Sequence, residues 1–298
     1  MKFEDRIRGV WRSLVLRIFD YLRSHGKTSH LAKYAARLHP ADSVLAHNIG
    51  WKYCTEGDYE KAEQHLRRAA ALDPHDAAAY YNLGVALYGQ EKWKEALAAF
   101  QTATTLEPNS SAFCVALGQC QKEIGEFPSA VASLKEALRL TPDHAEAFAQ
   151  LSVVYSELRD WDAALRCSRE YIRLCPNEEL GYWGESSALC ELGRFDEAIA
   201  SSHKALEINS RSLPSIESLA WTYQKMERYS DVIRELKRSL AIKPDSAKTR
   251  GWLAWSYVQI DDLVAAFEQQ TLIAQLDPAL ADEVAALILK SKESRSQH

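Results

Sequence analysis

Residues 80–108 read YYNLGVALYGQEKWKEALAAFQTATTLEP, and the spacing within this stretch decides the fold. Leu83 and Gly84 lie between large apolar residues at steps of three and four, which is the spacing of one face of an α-helix. A second apolar run through Phe100 follows a short polar turn, and Pro108 comes after it. Because proline cannot donate to a helical hydrogen-bond ladder, the stretch predicts two α-helices joined by a tight turn.

The same pattern recurs at a step of 34 residues in both directions. The step divides most of the chain into seven equal units: 43–76, 77–110, 111–144, 145–178, 179–212, 213–246 and 247–280. Six units carry a proline near their end: Pro74, Pro108, Pro142, Pro176, Pro244 and Pro278. Glycine and proline are otherwise few, which argues against a sandwich or barrel. The repeat therefore predicts an all-α fold of seven helical pairs.

This pattern resembles the tetratricopeptide repeat (TPR), a helix–turn–helix unit of 34 residues. The resemblance covers all seven units and rests on positions that the quoted stretch fills with Leu83, Gly84, Ala96, Phe100 and Pro108. It implies a right-handed α-solenoid (superhelix), because one unit buries its apolar face only by stacking on its neighbours. It also implies a non-catalytic protein that binds a segment of a partner on its concave face.

Residues 1–42 precede the seven units and predict an amphipathic N-terminal helix followed by a degenerate leading repeat. Over residues 1–24, apolar residues at steps of three and four share one face, and arginines flank it. The candidate docking residues are Trp11, Arg8, Arg12 and Arg17. Three interpretations stay open: the helix caps the first repeat, docks a partner or a second copy of the chain, or lies on an anionic membrane surface.

Residues 281–298 follow the seventh unit. Apolar residues on one side of residues 281–290 predict a short capping helix. The polar residues 291–298 predict a frayed tail.

Charge and cysteine content narrow the class of protein. Residues 1–40 carry nine Lys/Arg against three Asp/Glu, whereas the rest of the chain is acidic and the net charge is −5. An acidic body predicts no nucleic-acid partner, since phosphate binding needs basic surface.

The six cysteines match no metal or disulfide framework and predict buried free thiols in a reducing compartment. Glu4 and Asp5 interrupt the basic segment with which a signal peptide would begin, and no apolar stretch is long enough to span a membrane. We therefore expect a cytoplasmic protein.

The sequence predicts no reaction centre. A Gly-rich phosphate loop, a GxSxG motif and an HExxH motif are all missing. We therefore expect no enzyme activity, no cofactor and no metal. Some TPR co-chaperones hold a chaperone's C-terminal carboxylate in a clamp of Lys, Asn, Asn, Lys and Arg. Only Asn82 matches that clamp here, so we do not expect this function.

The predicted binding surface follows from the family, in which the first helices of successive units line the groove. Unit positions two, five, nine, twelve and thirteen should face it. The candidate residues are Trp51, Tyr81, Tyr88, Gln119, Lys122, Trp183, Trp221, Gln224 and Trp255. Exposed aromatic rings are typical partner anchors, although a ring at position nine could instead pack on the neighbouring unit.

The function predicted from this surface is a protein–protein interaction scaffold or adaptor that binds a partner segment in an aromatic-lined groove. The first alternative is an assembly factor or co-chaperone at a membrane surface, tethered through residues 1–24. The second alternative is a regulatory domain acting on an enzyme partner. Peripheral membrane contact and self-association through residues 1–24 are both left open.

Unit 179–212 departs most from the pattern. Glu185 lies where five other units carry leucine, and Ser202 replaces the large residue at the position of Phe100. Two interpretations are open. Either the unit is locally looser and Glu185 reaches solvent or a nearby Ser or Arg, or the unit is a hinge or partner-contact point.

Overall fold

The computed structural model describes residues 42–296. These residues form two compact units, with the division between His144 and Ala145. Both consist of α-helices joined by short turns, and no β-strand occurs within the described residues. The predicted all-α fold of tandem helical pairs is therefore confirmed.

Unit 1 contains three successive helical pairs within its described residues. They are α1 (Ser43–Glu56) with α2 (Tyr59–Leu72), α3 (Ala77–Gly89) with α4 (Trp93–Leu106), and α5 (Ser111–Glu123) with α6 (Phe127–Leu140).

Unit 2 contains four described pairs and one further helix. The first two pairs are α7 (Ala145–Glu157) with α8 (Trp161–Leu174), and α9 (Glu179–Glu191) with α10 (Phe195–Ile208). The next two are α11 (Leu213–Lys225) with α12 (Tyr229–Ile242), and α13 (Ala247–Gln259) with α14 (Leu263–Ile273). The further helix is α15 (Pro278–Ser296).

Short polar side chains set the helix starts. In the first pair, an Asp42 oxygen accepts the Leu45 N–H at 3.1 Å, and an Asp58 oxygen accepts the Lys61 N–H at 3.2 Å. Such a cap contributes about 1 kcal/mol to helix stability. The turn between α1 and α2 passes through left-handed backbone at Gly57, where φ is 77° and glycine meets no steric penalty.

The paired helices of unit 1 approach most closely where a glycine of the first helix faces a large side chain of the second. A Cβ atom added at Gly84 would lie 2.5 Å from the Phe100 ring, and one at Gly50 would lie 2.4 Å from Leu66. Phe100 and Leu66 are buried. These glycines are therefore required by packing rather than by backbone conformation.

In the first two pairs of unit 2 the same two repeat positions are filled by serines. The Ser152 and Ser168 hydroxyl oxygens lie 2.7 Å apart across α7 and α8, and those of Ser186 and Ser202 lie 2.6 Å apart across α9 and α10. All four side chains are buried. Each hydroxyl thus has a partner, as a buried polar group needs, and a hydrogen bond replaces the packing of glycine against a large side chain.

The carboxylate at the leucine position of α9 is also paired. Glu185 Oε1 accepts from Arg169 Nε at 2.8 Å, and its Oε2 accepts from the Ser201 hydroxyl at 2.9 Å. Glu185 therefore reaches a nearby Arg and Ser, which is the contact that the first of the two interpretations expects; a hinge or partner-contact point in this unit stays a prediction.

Helix α15 corrects the predicted end of the fold. The sequence predicted a helix over 281–290 and a polar tail from Ser291, but the helix begins at Pro278 and runs to Ser296. Proline is well placed in the first turn, because its missing N–H would have no helical partner there. An Asp277 oxygen caps this end by accepting the Leu280 N–H at 3.1 Å. The Lys, Glu and Arg residues of the expected tail are good helix formers, which explains the extension.

The six cysteines, all within the described residues, are free. Four of them are buried and two are half-buried. Burial raises the pKa of the Cys54 and Cys120 thiols to about 11. These two are therefore poor nucleophiles near neutral pH, because the thiolate is the reactive form.

Glu63 on α2 is the centre of a polar cluster between the first two pairs. Its oxygens accept hydrogen bonds from Arg67 Nε at 2.8 Å, Lys92 Nζ at 2.8 Å and Gln90 Nε2 at 3.0 Å. Burial by itself would raise the pKa of the Glu63 carboxyl, but the three donors outweigh it and lower that pKa from 4.5 to about 2.

This cluster predicts a pH dependence of stability. A depressed folded-state pKa stabilises the fold above pH 4.5, and the contribution is lost as the pH falls from 4.5 towards 2. Water screens the partly exposed donors, so we expect about 1–2 kcal/mol. Urea unfolding of the parent and of Glu63→Gln at a series of pH values measures it. The variant should lose less stability than the parent on acidification; equal losses would contradict the assignment.

Candidate functional site

An open groove of about 1310 Å³ runs across unit 2. Side chains of α7, α9, α11 and α13, the first helices of four successive pairs, line most of it. Five indole rings dominate its lining: Trp161, Trp183, Trp221, Trp252 and Trp255. We call this cavity, defined by these five residues, the tryptophan groove.

Small residues lie among the indoles. Gly184, Ser187 and Ser218 line the same cavity. Ser187 holds the repeat position that Trp221 and Trp255 hold in the next two pairs. A serine thus stands at a repeat position that holds indoles in the next two pairs, and the smaller side chain leaves space that an incoming side chain could fill.

Trp221 is the most exposed of the five indoles, at 40% of its surface. Its Nε1 donates to Glu191 Oε1 at 2.8 Å. Lys225 Nζ lies 4.9 Å from the ring centroid and 3.5 Å from Glu191 Oε2. The ring is thus held at its edge by a hydrogen bond and on one face by a cation, an arrangement worth about 0.5–1 kcal/mol at exposed sites.

Trp252 and Trp255 are half-buried and held by neighbours within unit 2. Trp252 Nε1 donates to Gln224 Oε1, and the Trp252 ring meets Trp221 edge to face with centroids 6.3 Å apart. Trp255 contacts Tyr229 in the same way at 5.6 Å. These contacts fix the rings before any ligand arrives, so less entropy is lost on binding.

The charges that line the tryptophan groove balance. Glu157 and Glu217 are opposed by Arg159 and Lys248, and Glu191 is paired with Lys225. A balanced lining does not select a strongly charged ligand. The apolar ring faces are therefore the main source of attraction that the groove offers.

The structure brings together four of the residues predicted from sequence: Trp183, Trp221, Gln224 and Trp255. Sequence reasoning missed Trp252, because the repeat position it holds was not counted as facing the groove. Its spacing three residues before Trp255 places both rings on one helix face and was the available signal. The half-buried ring of Trp161, at the start of α8, also lines the groove.

The other predicted contact residues lie in unit 1. Trp51 on α1 is 48% exposed. The Tyr81 ring on α3 stacks on Phe113 with centroids 4.8 Å apart, so much of its surface is taken up by packing. Tyr88 contacts Trp93 edge to face at 4.7 Å.

The polar groups predicted near these rings also have partners within unit 1. The Tyr88 hydroxyl donates to Glu123 Oε1 at 3.1 Å. Lys122 Nζ lies 2.9 Å from the same oxygen. Gln119 is half-buried on the same helix, α5. The predicted docking residues Trp11, Arg8, Arg12 and Arg17 lie outside the described residues.

Asn82, the residue that matches the carboxylate clamp, is occupied by a neighbour. Its Nδ2 lies 2.8 Å from His47 Nε2, and His47 Nδ1 lies 3.0 Å from Asp76 Oδ2. Asp76 also caps α3 by accepting the Ala79 N–H at 2.9 Å. The chain of contacts ties α1 to α3 through side chains.

Within residues 42–296, no group of three His, Cys, Asp or Glu side chains is arranged to hold a metal ion. None of the helices described there is long and apolar enough to cross a bilayer.

Two stretches of the chain, residues 49–111 and 115–179, match the family model of the tetratricopeptide repeat. Comparison with curated proteins gave no match.

Solved structures resemble the chain at low identity, so their likeness shows the fold alone. A tetratricopeptide repeat protein from Parabacteroides merdae is 17% identical, with 83% of this chain and 98% of that chain covered and a TM-score of 0.68. A chain of the APC/C hetero-tetramer Cut9–Hcn1 is 16% identical, with 87% of this chain covered and a TM-score of 0.66; this chain spans only 52% of its length. YrrB is 19% identical, with 63% and 96% covered and a TM-score of 0.54.

Proposed function

This chain belongs to the tetratricopeptide-repeat family, and on that premise we propose that it is a non-catalytic scaffold or adaptor that binds a segment of a partner protein in the tryptophan groove. TPR proteins are generally interaction scaffolds. The structure of YrrB is described as that of a TPR protein with an unusual peptide-binding site. The Cut9–Hcn1 structure is that of a hetero-tetramer.

The observation that carries the proposal is the tryptophan groove itself. Its indoles border space left by Gly184, Ser187 and Ser218. Leaving large apolar surface in water is unfavourable by roughly 25 cal/mol per Å². Aromatic side chains in concave, pre-ordered surroundings are the residues that most often dominate partner binding. An extended peptide with a bulky apolar side chain opposite Ser187 fits this arrangement.

We also propose that the scaffold is cytoplasmic. The support is the set of free thiols, since a reducing compartment keeps cysteines in this state.

Selection from a phage-displayed library of random short peptides on the full chain tests the groove. The strongest enriched peptide is labelled, and its affinity is measured by fluorescence anisotropy on the parent and on Trp183→Ala/Trp221→Ala. Loss of two anchor rings is expected to weaken binding by about thirtyfold or more, equal to about 2 kcal/mol.

Trp51→Ala is the matched control, because it removes an exposed indole that does not line the groove. It should leave the affinity unchanged. If the enriched peptide binds the double variant as tightly as the parent while the variant keeps its helical circular dichroism, the groove is not the binding site.

A further inference from the structure

Helix α14 exposes two large apolar side chains to solvent on one side. Val264 is 73% exposed and Phe267 is 60% exposed. With Glu268 and Thr271, which are also exposed, they lie at steps of three and four and so share one side of the helix. We call these four residues the α14 face.

Comparison with the other pairs shows that this exposure is unusual. At the repeat position of Phe267, five preceding pairs carry aliphatic residues that are all buried or half-buried: Leu97, Val131, Leu165, Ile199 and Ile233. At the position of Val264, the other pairs carry charged residues, serine or proline. Helix α15 packs on the core through Ala281, Val284 and Ile288 but leaves Phe267 uncovered.

The surroundings of the α14 face are acidic in sequence. Residues 251–289 contain no Lys or Arg, and the flanking Arg250 donates to Gln269 of α14 and to the Pro244 carbonyl oxygen. They contain six carboxylates: Asp261, Asp262, Glu268, Asp277, Asp282 and Glu283. Glu268 lies beside Phe267 on the α14 face itself and is exposed. An occupant of this face should therefore combine apolar side chains with positive charge.

The chain carries one segment with that chemistry. Residues 1–24 have an apolar stripe at helical spacing that includes Trp11, flanked by arginines, and residues 1–40 carry six more basic than acidic side chains. We propose that the α14 face of one molecule binds residues 1–24 of a second copy. An amphipathic helix laid on an apolar surface is a common mode of recognition, and the charges here are complementary.

A second copy, rather than the same molecule, supplies the segment. Residues 1–24 precede the first pair in sequence and α14 belongs to the seventh, so the segment and the face lie near opposite ends of the chain, as a head-to-tail contact between copies requires. Each molecule then offers one segment and one α14 face. Such a head-to-tail contact is heterologous and builds rings or open chains.

Two variants of the full chain test the head-to-tail contact by sedimentation velocity. Phe267→Asp removes the α14 face, and Arg8→Glu/Arg12→Glu/Arg17→Glu removes the basic character of the segment. The parent should self-associate, and less so as salt rises. Each variant alone should associate at least about tenfold more weakly. A mixture of the two should form a dimer and nothing larger, because one intact segment meets one intact face.

Leu158→Asp is the matched control, since Leu158 is a 43% exposed apolar residue in another part of unit 2. It should associate like the parent. A monomeric parent, or a mixture of the two variants that stays monomeric, would overturn the proposal.

A photo-reactive phenylalanine analogue at position 267 identifies the occupant directly. The parent chain is prepared with normal and with heavy nitrogen, mixed, and cross-linked. Cross-links from 267 to residues 1–24 that join light and heavy chains support the proposal. Three outcomes would refute it: cross-links to residues 1–24 that only ever join chains of the same isotope, cross-links to the α14 face of another copy, or no cross-link to residues 1–24.

Discussion

Replacing Phe100 by alanine is expected to lower the free energy of unfolding by about 3–5 kcal/mol, the largest loss we predict for a single substitution in this chain. The ring is 2% exposed and packs against Gly84 at the closest approach of α3 and α4. Removing it leaves a cavity that a solenoid of short helices closes only in part. Urea unfolding followed by circular dichroism measures the loss, and hydrogen exchange should place it in α3, α4 and their neighbours.

Gly84, which lies against the Phe100 ring, allows a double-mutant test of this contact. Gly84→Ala alone should destabilise the fold by about 1–3 kcal/mol, because its methyl group would overlap the ring. In the Phe100→Ala background the same methyl enters empty space, and alanine is a better helix former than glycine by about 1 kcal/mol. Gly84→Ala should then be neutral or stabilising. If its effect is the same in both backgrounds, the two side chains do not share the space that the structure assigns them.

Ser187→Trp is expected to weaken peptide binding to the tryptophan groove by about thirtyfold or more, or about 2 kcal/mol. The new indole would occupy the space beside Gly184 and Ser218. The fold should accept it, because the equivalent positions of the next two pairs already hold Trp221 and Trp255. The lost hydroxyl donates only within its own helix, to the Trp183 carbonyl oxygen at 3.0 Å. Anisotropy with a peptide selected on the parent measures the effect.

Thr105→Trp controls for the added indole. Thr105 is exposed on α4, and its hydroxyl likewise donates within its own helix, to the Gln101 carbonyl oxygen at 2.8 Å. This variant should bind the selected peptide like the parent. If Ser187→Trp also binds like the parent while keeping its thermal midpoint, the space beside Ser187 takes no part in recognition.

Much of the fold could be predicted from the sequence, because each repeat has the same residue types at the same positions of its two helices. The structure gives a physical reason for three landmarks of residues 80–108: Gly84 makes room for Phe100, and Pro108 follows the end of α4. The bounds of α15 were harder to predict. The start depends on a local cap at Asp277, and the end depends on the helix propensity of the tail residues.

The binding surface was less predictable because exposure depends on what packs beside each ring. Tyr81 and Trp221 were predicted to face the groove by repeat position alone. In the structure Tyr81 stacks on Phe113, whereas Trp221 is left 40% exposed. Repeat position gives the direction of a side chain from its helix. Whether a neighbouring aromatic residue covers it depends on residues one repeat away, as Phe113 is here.

Two kinds of contact between paired helices, glycine against a large side chain and serine against serine, also limit how repeats can be duplicated and recombined. Gly84 leaves room for the large Phe100 ring, whereas Ser186 is matched to the small hydroxyl side chain of Ser202. Although the backbones are equivalent, first and second helices are not interchangeable between repeats. Duplication or exchange of whole 34-residue segments keeps the two helices of each pair together. A crossover inside the turn of a pair could instead place the helix of Ser186 against the helix of Phe100. Recombination junctions should therefore be tolerated between helical pairs rather than within them.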